Sequence, residues 1–208
     1  LASRHTHRLK TFAAGIKGAP DLEFAREMAG FIRSEHHEII VTLEELIRAL
    51  PQVIFHLESF DALLVRSSIT NYLVAGLASD FVPEVFSGEG GDELFAGYEY
   101  LKGIPQEALE EELRSITLSL HNTALQRVDR CSSAHGTTAH VIFTDPSVVE
   151  FAFRIPQGLK IHENVEKWIL RKSMEGLLPD SVFRRPKAKF WEGAGVKELI
   201  SGYAEDKI

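Results

Sequence analysis

The chain has 208 residues, 44% hydrophobic and 25% charged, with a formal charge of −7. That is enough material for one large domain or a domain with an appended subdomain, of ordinary globular composition. The negative balance argues against nonspecific nucleic-acid binding, no apolar run approaches the roughly 20 residues of a bilayer span, and the lone Cys131 excludes an intramolecular disulfide.

The opening "LASRHTHRLK" lacks the apolar core of a signal peptide, so a soluble, cytoplasmic protein is expected. These residues read as the tail of a helix. "LKTFAAGI" (9–16) follows as a short buried strand, and Pro20-Asp21 suit a helix start with an apolar face of Leu22, Phe24, Ala25, Met28, Ala29, Phe31 and Ile32. "HHEIIVT" (36–42) is a second strand, His36 and His37 being expected to face opposite ways. "TLEE" (42–45) is a capping box, introducing a helix through Leu50 with another turn or two after Pro51. "SSITNYLVAGLASDF" (67–81) reads as helix, and "PEVFSG" as a third strand opening into "EGGDELFAGY". Strands alternating with helices favour a parallel sheet, which binds ligands at the carboxyl ends of its strands.

From Pro105 onward the chain reads as mostly helical. Asp145 is expected to cap a helix with Pro146 in its first turn, and "NVEKWILRKSMEGLLP" (164–179) reads as one helix. A boundary near residue 103 divides an α/β portion (1–103) from a mostly helical portion (104–208).

Two stretches carry chemistry. In Ser87-Gly88-Glu89-Gly90-Gly91-Asp92-Glu93, glycines allow close backbone approach, successive N–H groups can form an anion nest, and a carboxylate can hold Mg²⁺ that bridges phosphates. Glu89 and Asp92, three apart, can share a helix face. A solvated turn is the alternative. The stretch is neither a Walker A loop nor a dinucleotide fingerprint. In "FRRPKAKFWEGAG" (183–195) four cations lie within six residues, suited to meeting phosphates or to being a plain basic surface. Lys167 and Arg171, at i and i+4, can point the same way. The nine histidines form no metal-ligand pattern, and Cys131 is expected to be a buried structural thiol.

Taken in order, "FAAGIKGAPDLEFAREMA", "EHHEI", "VFSGEGGDELFAGYEY", "DRCSSAHG", "EKWILRK" and "RRPKAKFWEGAG" resemble the synthetase domain of glutamine-hydrolysing asparagine synthetases, a family that includes the β-lactam synthetases. The resemblance implies an ATP-pyrophosphatase-type (adenine nucleotide alpha hydrolase-like) α/β fold: a parallel sheet flanked by helices. It implies activation of a carboxylate, aspartate or a related acid, by ATP and Mg²⁺, followed by attack of ammonia, with a glutaminase domain or subunit as an ammonia source and a homo-oligomer both admitted. On that basis Ser87 and Gly88 contact the nucleotide, Ala14 lines the adenine pocket, Asp92 is a Mg²⁺ ligand, Glu89 lies near the reacting substrate, Lys187 stabilises the adenylating transition state and Lys167 lies near the phosphates. Asp61 and Arg66 match a segment shaping the cleft.

The sequence departs from the family in places. The Ser-Gly-Gly-x-Asp-Ser pyrophosphate loop, its strand and the glutaminase domain are not among these residues. In "GTTAHVIFTD" (136–145), Thr138, His140 and Ile142 stand where the family has an acid, an arginine and a proline, and Ala188-Lys189 replace Glu-Gln after Lys187. These changes leave asparagine open as the product. Either the residues belong to a longer chain, the expectation here because a sheet without its central strand would expose apolar edges, or catalysis has been lost and a nucleotide- or partner-binding module remains.

Overall fold

The structure, a computed structural model, describes residues 2–185 and 193–195. A short 3-10 turn at Ala2–Arg4 precedes β1 (Lys10–Gly15), α1 (Pro20–Ile32) and β2 (Glu35–Ile40). Pro20 fixes the first turn of α1, and its end is marked by Arg33 in the left-handed region. β1 and β2 pair in parallel, Lys10 opposite Glu35 and Gly15 opposite Ile40. His36 and His37 are both half-buried. The His37 ring lies 3.8 Å from that of Phe81 and 5.5 Å from that of Phe12, so the expected exposed partner of this pair is not seen.

The capping box forms as expected. The Thr42 hydroxyl accepts from the Glu45 amide while the Glu45 carboxylate accepts from the Thr42 amide, opening α2 (Leu43–Leu57). α2 continues past Pro51 as one helix and buries Leu46, Ala49, Val53 and Leu57 on one side. α3 (Ala62–Ser79) starts five residues earlier than its apolar run suggests, because the Asp61 side chain accepts from the Leu64 amide at 2.7 Å and caps it. α2 and α3 pack on Leu64, Val65 and Ile69, joined by Val41 and Ala194, to make the largest core cluster.

β3 (Glu84–Ser87) then leads into α4 (Gly91–Leu94). After a 3-10 segment at Glu99–Gly103 come α5 (Gln106–Leu118), a 3-10 turn and α6 (Ala124–Ser133). Next is β4 (Thr138–Val141), a strand that the reading of a mostly helical second half did not include, paired in parallel with β3. α7 (Pro146–Arg154) is capped by Asp145, whose carboxylate accepts from the Ser147 amide. α8 (Gln157–Lys160), α9 (Trp168–Ser173) and α10 (Asp180–Phe183) follow. α9 is only the middle of the long helix expected over 164–179: Glu163, Asn164 and Lys167 all adopt positive φ, which breaks a helix before it and leaves a turn instead.

Among the described residues the strands thus form two separate two-stranded parallel sheets, β1–β2 and β3–β4. β1 and β3 do not pair. Both border one cavity of about 570 Å³, with Phe12 on one side, Val85 and Ser87 on the other, and Val74, Ala75 and Ala78 of α3 along it. Parallel strands are ordinarily covered and paired on both sides, so this groove is where the α/β layer opens.

Candidate active site

The glycine-acid stretch sits at the carboxyl end of β3. Gly90, the residue before α4, has φ of +90°, and a side chain there would press within 3.3 Å of Phe143 and Thr144. Gly88 faces open space. Tight on one side and open on the other, the turn leaves its backbone approachable, and Ser87 borders the groove between the sheets.

The two acids of this turn do not share a partner. Glu89 receives Arg127 Nη2 at 2.6 Å, and the same guanidinium donates to Ser67 Oγ at 3.1 Å, tying the turn to α6 and α3. Asp92 meets Lys167 Nζ at 2.8 Å. That approach depends on Gly97: a β-carbon there would lie 1.9 Å from Asp92 Oδ1 and 2.4 Å from Lys167 Cε. The next acid, Glu93, is buried, and the Tyr98 hydroxyl donates to its carboxylate. Burial raises the Glu93 carboxyl above its ordinary range, the Tyr98 bond opposing it, and burial beside this carboxylate raises the Tyr98 phenol as well.

Lys167 and Arg171 do not point the same way. Lys167 faces Asp92, whereas Arg171 pairs with buried Glu166 and donates to the carbonyls of Phe183 and Arg185. Glu166 also receives Lys102 Nζ at 3.2 Å. Burial pushes the Glu166 carboxyl up, but its own amide, Lys102 and Arg171 together outweigh burial and hold it below its ordinary range.

Ala14 is buried on β1 and borders a different cavity, of about 330 Å³, with Phe24, Asp21 and Arg185; Phe12 and Val74 border both cavities. Arg185 bonds Asp21, and its guanidinium lies 4.3 Å from the Phe24 ring centre. Lys187 lies outside the described residues. Cys131 is buried against Ser68 and burial pushes its thiol up to about 12, which fits a structural thiol. Among the described residues no three His, Cys, Asp or Glu side chains converge to hold a metal, and no helix is long and apolar enough to cross a membrane.

The structure therefore brings Asp92 to Lys167 and Glu89 to Arg127. Sequence reasoning missed Arg127, Tyr98 and Glu166, and placed Glu93 in the acid stretch without a role of its own. The one available hint was the crowding of charge in "LQRVDR" and "NVEKWILRK", which does not say which charges turn inward.

The chain matches the family described as Asparagine synthase over residues 1–112 and again over 102–207. It is 41% identical over 208 residues to an asparagine synthetase [glutamine-hydrolyzing] of Gallus gallus, covering 96% of this chain and 37% of the relative. The protein of the same name from Mus musculus is 38% identical over 211 residues, covering 96% of this chain and 38% of the relative. That from Zea mays is 37% identical over 231 residues, covering 100% and 39%. The chain thus spans well under half the length of these curated relatives. With a family match along nearly its whole length, and the acid turn and lysine of the resemblance in contact, the chain belongs to the asparagine synthase family.

Proposed function

We propose that these residues form part of an ATP-dependent amide-forming site. A carboxylate oxygen of the substrate attacks the α-phosphorus of ATP, the bond to the β-phosphate oxygen breaks, and pyrophosphate leaves an acyl-adenylate. Ammonia then attacks the acyl carbon, AMP departs, and the nitrogen loses a proton to give the amide. Relatives named as glutamine-hydrolysing make a glutaminase domain or subunit the natural ammonia source.

The observation that carries this reading is the Asp92–Lys167 contact at the carboxyl end of β3, a carboxylate and a cation held where parallel strands receive ligands. Ser87 and Gly88 offer open backbone to the nucleotide, and Ala14 belongs to the pocket for its base. Lys167 moves from Asp92 to the phosphates, and Lys187 stabilises charge as the adenylate forms. Glu89, held by Arg127, lies beside the substrate. Asp92 suits Mg²⁺, which takes carboxylate oxygens together with phosphate oxygens and water rather than an all-protein cage. When bound, that ion neutralises phosphate charge. The groove between β1 and β3 is the place for the family's pyrophosphate-loop strand.

The test is pyrophosphate release from ATP given a carboxylate and ammonia. Asp92→Asn and Lys187→Ala should each abolish it; full activity in both variants would overturn these roles. The second reading, a non-catalytic nucleotide- or partner-binding module, is favoured by Thr138, His140 and Ile142 in "GTTAHVIFTD" and by Ala188-Lys189. It predicts MgATP binding by calorimetry with no pyrophosphate released.

A further inference from the structure

Lys167 has an unusual backbone. It stands in the left-handed region, φ 51° and ψ 31°, at the start of α9, in a turn whose Glu163 and Asn164 are also left-handed. A side-chain-bearing residue keeps that conformation only where its surroundings over-determine it, and such residues gather at functional sites. Backbone bonds between His162 and Val165 close the Glu163-Asn164 part of the turn; at Lys167 itself the surroundings come largely from Arg171. The Arg171 amide donates to the Lys167 carbonyl at 2.8 Å, while Arg171 Nε donates to the preceding Glu166 carbonyl at 3.1 Å. The Lys167 carbonyl is thus held by the backbone of residue 171, and the Glu166 carbonyl before it by the Arg171 side chain.

The rest of the guanidinium fixes where that grip sits. Nη2 bonds the Glu166 carboxylate, itself buried and shared with Lys102 from the segment just after the acid turn. Nη1 spans the carbonyls of Phe183 and Arg185 at 3.0 and 3.1 Å. A planar fork with several donors can hold three carbonyls and a carboxylate together; a lysine ammonium cannot reproduce that arrangement. The grip ends with Lys167 Nζ 2.8 Å from Asp92.

We infer that Arg171 is a positioning residue for Lys167: its guanidinium, by gripping Glu166, holds the Glu166–Lys167 step in the strained form that aims the Lys167 amine at Asp92. The phosphate role of Lys167 rests on the proposed amide-forming function, but the positioning is measurable without it. The probe is trace reductive methylation with formaldehyde and a borohydride, read lysine by lysine by peptide mass spectrometry, with exposed Lys17 as internal reference. In the wild-type chain Lys167 should label more slowly than Lys17. Arg171→Ala should speed Lys167 labelling by about tenfold, the weight of one charge-assisted bond in an opening equilibrium, with Lys17 unchanged. Added guanidinium ion should restore slow labelling in Arg171→Ala, an effect that general loosening of the fold would not give. If Arg171→Ala does not melt cooperatively, Glu166→Gln, which weakens the carboxylate's bonds to Arg171 and Lys102 but leaves the Arg171 bonds to the carbonyls, serves instead with a smaller rise. An unchanged Lys167 rate in the variant that folds overturns the inference. Absence of pyrophosphate release by the unsubstituted full-length protein would instead remove the amide-forming reading while leaving the labelling result to be judged separately.

Discussion

Two regions draw a cation away from open solvent and treat it in opposite ways. Between the acid turn and α9, the charges come matched: Asp92 with Lys167, and Glu166 with Arg171 and Lys102. Where α5, α7 and α8 meet, Lys160 is fully buried and its amine has no hydrogen-bond partner among the described residues; it sits 5.1 Å from the centre of the Phe153 ring. Burial lowers the Lys160 ammonium to about 8, Glu110 pulling it up and Arg114 pushing it further down. The matched region carries left-handed backbone at Ala96, Glu163, Asn164 and Lys167. Around Lys160, α5 and α8 are regular helix. The contrast suggests that strain and matched charge belong together where geometry must be held, whereas an unmatched buried charge is simply a stability cost that the surrounding apolar packing offsets.

The largest expected effect breaks the matched side. Gly97→Ala places a β-carbon where Asp92 and Lys167 meet, so the turn must shift or the pair must part. A loss of about 3 kcal/mol in urea unfolding is expected, at the upper end for single substitutions. A loss below about 0.5 kcal/mol, the level of an ordinary surface change, would mean that the pair is not fixed. Next comes Lys160→Met, which should stabilise the chain at neutral pH by about 2 kcal/mol, as replacing a buried charge with an apolar group of similar volume does. The pH dependence has a definite sign. With a folded value of about 8 against an ordinary 10.5, the unfolded chain binds more protons across that window, so stability from this group rises with pH between them and its penalty is full below about 8. Lys160→Met should flatten that rise in thermal melts recorded from pH 7 to 10; an unchanged slope would place the titration elsewhere.

The comparison also explains what the sequence could disclose. β1, β2, the Thr42 capping box and the Asp145 cap depend on neighbours within a few residues, so composition and spacing reveal them. β4 does not: "TAHV" has no apolar run, and it becomes a strand by pairing with β3, more than fifty residues away. The matched charges behave likewise. Arg127 meets Glu89 across 38 positions of chain, and the turn that shortens α9 follows from positive φ at Glu163, Asn164 and Lys167, which helical periodicity cannot register. The acid turn itself was visible because glycine and carboxylate in one stretch constrain chemistry locally. Which basic side chain each acid would meet depends on the tertiary fold, as does the unpaired state of Lys160, since nothing in "QGLKIH" sets that lysine apart from a surface one.

The smallest expected effect sharpens the unmatched side. Glu110 and Arg114 form an i, i+4 pair on α5, and the Arg114 guanidinium lies 4.5 Å from the centre of the same Phe153 ring that Lys160 approaches. If Lys160 titrates in a shared field with them, removing each neighbour should move it oppositely. Arg114→Gln takes away a like charge and should raise the Lys160 titration above 8; Glu110→Gln takes away its nearby anion and should lower it. Two-dimensional NMR of the lysine side chains, with Lys160→Met identifying the signal, measures both. Shifts of the same sign in the two variants would mean that altered burial, rather than charge, governs this amine, and the contrast between the two regions would then lie in packing instead of in pairing.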